Sequence, residues 1–172
     1  MTEIRDDIAT TLAETVGNAL NMTAAINEPE PTRWEETAGD TWAPQNPPLI
    51  FRSLCVQDEG APDRLSFVRG SVSDPTEELE VTLIVAFAVQ VQPGLHYDTT
   101  AVRKMRRLIR KDAVAAIVAA IERDRTLGLS VEVYAEIDPP AYADDVLFPN
   151  ALPCATALIP VRVLYTGANA AS

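Results

Sequence analysis

Histidine occurs once in this chain of 172 residues, cysteine twice and glycine seven times. A nucleophilic triad needs a histidine or an equivalent base, and His96 alone supplies one. It stands in GLHYD beside Tyr97 and Asp98, where a surface or capping role suits it, and no G-x-S-x-G motif accompanies it. Cys55, between Leu54 and Val56, and Cys154, in LPCAT, are too few for a thiolate metal centre. They read as small hydrophobes with free thiols. The scattered glycines form neither a P-loop nor a dinucleotide fingerprint. Asp138, Asp144 and Asp145 lack the one-three-five spacing of a calcium loop. No catalytic residue, no metal ligand and no cofactor is expected, and the chain does not read as an enzyme.

Bases are also scarce. The 14 Lys and Arg face 25 Asp and Glu, a formal charge of −11, which would repel a nucleic acid on average. No apolar run reaches the roughly 18–20 residues of a membrane span. The opening MTEIRDDIATTL lacks the basic-then-apolar layout of a secretory signal, so the cytoplasm is the simplest compartment. Length and the 47% hydrophobic content suit one domain, 1–172.

What is present centres on Val81 to Val91, VTLIVAFAVQV. Its odd positions are all apolar and its even ones small or partly apolar, the pattern of a central strand. Ahead of it, Thr2 to about Leu20 reads as a helix with Ile4, Ile8, Leu12 and Val16 on one stripe and Gly17-Asn18 fraying its end. From Asn21 to Pro48 periodicity stops. That stretch carries Pro29, Pro31, Pro44, Pro47 and Pro48, five acids (Glu28, Glu30, Glu35, Glu36, Asp40) against Arg33, and both tryptophans, Trp34 and Trp42. It is expected to be an extended arm (21–48) whose tryptophans either cover the core or anchor on a neighbouring subunit. Leu49 to Gln57 and Arg64 to Val72, parted by a turn at Asp58–Asp63, predict a hairpin, and Glu77–Glu80 leads into the central strand. After a helix capped at Asp98 to Thr100 and ending near Arg123, Leu129–Ile137 predicts an alternating strand. Asp138 to Pro153 is a long loop, and Ala157–Thr166 a closing strand in which Pro160 implies an edge or a bulge. The tail 167–172 should fray. The fold class expected is α+β, a mostly antiparallel sheet of about five strands packed with two main helices.

The second helix carries two faces. Val102, Met105, Ile109 and Ala113 form the inward stripe, while Arg103, Lys104, Arg106, Arg107, Arg110 and Lys111 crowd six bases into nine residues opposite. Farther along, Val114, Val118 and Ile121 fall on the side of those bases, so something must cover that outer end. Three readings stand: a solvated surface, a nucleic-acid contact, or a subunit interface. In the last, the basic side of one copy meets the acidic arm, or Glu77, Glu78 and Glu80, of the next. The interface candidates are Arg103, Arg106, Arg107, Arg110, Lys111, Val114, Val118, Ile121, Trp34 and Trp42.

The order of elements, with ELEVTLIVAFAV before a basic helix and ALIPVRVLY at the close, resembles the tail-terminator proteins of long-tailed bacteriophages, the phage lambda type. The likeness is one of layout from Thr2 to Thr166, and the two long irregular segments depart from it. It implies a structural virion protein with no catalytic residues, forming a homo-oligomeric, hexameric ring in the phage tail or neck. The ring would cap the tail tube protein, join it to the head-tail connector, and leave a channel for DNA without reading sequence or touching membrane. Assembly would take place in the host cytoplasm. Two alternatives stay open: another neck or tail component, such as a connector, stopper or tube subunit, and a cytoplasmic ligand- or nucleic-acid-binding module.

Overall fold

Among the described residues, six strands and two helices form a two-layer α+β arrangement. The computed structural model describes residues 4–27, 52–60, 64–71, 74–90, 99–129, 132–142 and 154–167. The elements are α1 (Ile4–Leu20), β1 (Ala25–Ile26), β2 (Arg52–Gln57), β3 (Arg64–Ser71), β4 (Asp74–Gln90), α2 (Thr99–Arg123), β5 (Tyr134–Ile137) and β6 (Cys154–Gly167). The sheet runs β1-β2-β4-β6-β5, with β3 also paired to β4. Every pairing is antiparallel except β1 with β2. The expected sheet class holds.

β4 is the spine. Its 17 residues span roughly 55 Å as extended chain. Along one side it pairs β6 without interruption, from Glu77 with Gly167 to Gln90 with Cys154. Along the other it meets β3 through Asp74–Glu80 and β2 through Ile84–Val89. Strands β2 and β3 therefore run collinear, in one direction, along a single position of the sheet. The expected hairpin at Asp58–Asp63 is not formed; the tight reversal joins β3 to β4, where Ser71 faces Asp74. Turn-forming residues marked the interruption correctly but could not say whether the chain reverses there or resumes its course.

The helices share one face of the sheet. Val81, Leu83, Val85 and Phe87 of β4 meet Ala157, Ile159, Val161, Val163 and Tyr165 of β6 beneath Ile8, Leu12 and Val16 of α1 and Ala113, Ile117 and Ile121 of α2. On the opposite face, Ala86, Ala88, Cys55 and Thr156 are also buried. This fits the small even positions of β4.

Several local expectations change. Gly17 does not fray α1. The Met22 N–H donates to Gly17 O at 2.9 Å, the Asn21 N–H to Asn18 O at 3.4 Å, and Asn21 takes φ 52°, which is a Schellman C-cap. Parallel β1 lies inside the stretch read as an arm, its edge fixed where the Asn27 N–H donates to Val56 O. β5 is shorter than Leu129–Ile137, because residues 125–129 form turns in which Leu127 and Gly128 have positive φ. Pro160 lies in an inner strand, not an edge. Its carbonyl accepts from the Asp138 N–H, so its missing donor also faces β5, where the ladder stops and Pro139-Pro140 bulges before Ala141 pairs Leu158. The irregularity is in the facing segment, for β6 keeps an unbroken register with β4 through Pro160.

Candidate functional site

Chemistry-bearing side chains are sparse in the described residues. Cys55 is buried, and desolvation pushes its thiol up to about 11, so it is not an available nucleophile. No group of three His, Cys, Asp or Glu converges among the described residues. Asp138 instead accepts from Arg162 Nε at 2.9 Å, while Arg162 Nη2 lies 3.0 Å from Glu136; this ion-pair cluster holds β5 to β6. No described helix is long and apolar enough to cross a membrane. His96, Asp144, Asp145, Trp34 and Trp42, like residues 168–172 of the tail and the side chain of Cys154, lie outside the described residues, whereas Gly167, expected to fray with that tail, is paired with Glu77 in β6.

A concavity lies on the outer side of α2. It is an open groove of about 780 Å³ lined by Arg103, Arg106, Arg107, Arg110, Lys111, Val114, Ala115, Val118 and Tyr142. Helical spacing explains most of this list. Residues 103, 107, 110, 111, 114 and 118 repeat at three and four, which stacks them along one side of a helix. The helix winds until bases give way to alanine and valine, so one end of the groove is cationic and the other apolar.

Tyr142 is the part that helix periodicity cannot supply. It follows Ala141, which pairs with Leu158 of β6, and that bridge brings the ring beside α2. The Arg110 guanidinium lies 5.3 Å from the ring centroid, a cation–π distance, and its Nε donates to Thr156 O at 3.1 Å. Arg110 is thus held in place by a ring on one flank and a backbone carbonyl on the other. Burial first, and the neighbouring Arg106 charge second, lower its pKa from the usual guanidinium value, with Tyr142 opposing. It stays a cation at neutral pH. Arg103, Arg107 and Lys111 are exposed, and Arg106 is half-buried.

Eight of the ten interface candidates lie in described residues, and seven line the groove. Ile121 does not. It is fully buried, packed in the core with Ile117 and Ala113. The reason is geometric: 18 residues are five turns, so Ile121 shares the direction of Arg103 but sits about 27 Å farther along the axis. The buried stripe Ala113–Ile117–Ile121, at steps of four, winds around α2 into that direction. Val114 and Val118 remain half-buried, as a groove wall requires. Sequence reasoning missed Ala115 and Tyr142. Ala115 was one turn beyond Lys111 and could have been found by extending the basic side. Tyr142 carried no such signal.

The chain matches no known protein family and no characterised protein at significant similarity.

Proposed function

We propose that the chain is a structural subunit that assembles into a ring, of the phage tail-terminator kind, capping a tail tube and presenting its other face to the head-tail connector. The observation that carries this is the groove on α2. It combines crowded guanidinium groups with an apolar wall, the composition of a surface awaiting protein instead of a small substrate. Charges there set register and valines supply burial. The order of elements, which resembles the terminator layout, adds the direction of the reading.

The test is the mass of the purified protein by light scattering at low and moderate salt, with electron microscopy of the same sample alone and mixed with tail tubes. Rings, free or seated at tube ends, are expected, and charge reversal at Arg103 and Arg107 should dissociate them. A monomer that ignores tube ends would overturn the proposal. Five cations on one helix side also favour a second reading, a module for a polyanion. Salt-sensitive retention on DNA without assembly would select it.

A further inference from the structure

Among the described residues, the groove has a cationic end, an apolar end and no acidic side chain in its lining. Arg103, Arg107 and Lys111 stand exposed along its cationic end. The five bases lining it leave nine others to face 25 acidic residues in the rest of the chain. The complementary surface is therefore one that this sequence itself carries in quantity. The stretch 28–48 combines it with the chain's two tryptophans: Glu28, Glu30, Glu35, Glu36 and Asp40 flank Trp34, and Trp42 follows.

The ends of that stretch lie away from the groove. The stretch begins after Asn27, which is bonded to Val56, and returns at Arg52, so both its ends are fixed at the β1–β2 edge. The groove is at the other side of the sheet, where α2 packs on β6 and Tyr142 follows the β5 ladder. Helix α1, packed on β1, β2 and α2, stands between the two. A donor on one edge and an acceptor on the other form a head-to-tail contact, the kind that closes into rings when the rotation permits.

We infer that the α2 groove is the acceptor for the acidic, tryptophan-bearing stretch 28–48 of a second copy of this chain. This rests on the ring reading and adds its contact. The carboxylates meet Arg103, Arg107 and Lys111, and an indole lies against Val114, Val118 and the Tyr142 ring. Aromatic anchors of this type dominate interface energetics.

A dye-labelled peptide of sequence 28–48, titrated into the full-length protein and followed by anisotropy, tests this directly. Saturable binding is expected, weakened at least about tenfold by Lys111→Glu with Arg103→Glu, or by replacing both tryptophans of the peptide with alanine. Both tryptophans of the chain lie in this stretch, so intrinsic emission of the full-length protein reports on it as well. The emission should shift to the blue with rising protein concentration, and the double charge reversal should abolish that shift. Absence of peptide binding, or a blue-shifted emission independent of concentration (the stretch seated on its own chain), would overturn the inference. Rings that persist after Trp34→Ala and Trp42→Ala would sink this contact while sparing the ring. Peptide binding by a protein that never assembles would do the opposite.

Discussion

Gly17 leaves little room for a side chain. A Cβ built there would stand 2.7 Å from Met22 O, a backbone atom of the turn that caps α1. Gly17→Ala must open that turn, and a loss of about 1–3 kcal/mol is expected in urea unfolding, more than a surface Gly→Ala would cost. The same helix is fixed at its other end by an ion pair. Arg5 Nε donates to Asp58 Oδ2 at 2.6 Å, and Arg5 Nη2 to Asp58 Oδ1, both side chains being mostly buried. The Gly60 N–H also donates to Asp58 Oδ1 at 2.9 Å. The bond from Arg5, with help from Gly60, lowers the Asp58 carboxyl below its usual value. A lowered carboxyl contributes stability that is complete above its unfolded pKa, about 3.9, and is lost as pH falls through the folded value. Arg5→Ala should therefore cost about 2 kcal/mol at neutral pH, and the difference from wild type should shrink steadily below about pH 4. A gap that does not vary with pH would show that Arg5 acts through packing alone.

Among elements, α2 repays comparison along its length. Ile121 and Val118 are neighbours on the helix, yet one is in the core and the other at the groove wall. Ile121→Ala should cost about 3 kcal/mol in a denaturant titration, against less than about 1 kcal/mol for Val118→Ala in the monomer. The helices and the long strands were legible because their apolar spacing matches their periods: Ile8, Leu12 and Val16 at four, and Val81 to Phe87 at two. What escaped depends on distance between elements. A flat helical projection placed Ile121 outside because it cannot register where along its axis a helix meets the sheet. The turn residues at Asp58–Asp63 equally fit a reversal or an interruption, and only pairing to β4 decides between them. Tyr142 joins the groove through a bridge to Leu158, a contact with no local signature.

At the scale of the whole molecule, the last strand in sequence is internal in space. β6 lies between β4 and β5, and it supplies five residues to the core, Ala157 to Tyr165. A chain stopped before Cys154 should show no cooperative thermal transition by circular dichroism, whereas one stopped after Gly167 should melt as the full chain does. A truncated chain that still melted sharply would mean that α1, α2 and β4 suffice for a core. The basic side of the groove was legible as a run of arginines; its Tyr142 wall was not, because Tyr142 is brought there by the pairing of Ala141 with Leu158 of this strand.

The position of β6 also bears on how the protein is made. A polypeptide leaves the ribosome from its N-terminus, and domains fold as units once their parts are available. Here β4 finishes at Gln90, yet its partner begins only at Cys154, so the greasiest strand of the chain emerges long before anything can cover its β6 side. Contacts this distant in sequence form slowly. During synthesis β4 is consequently without its longest partner until β6 has been made.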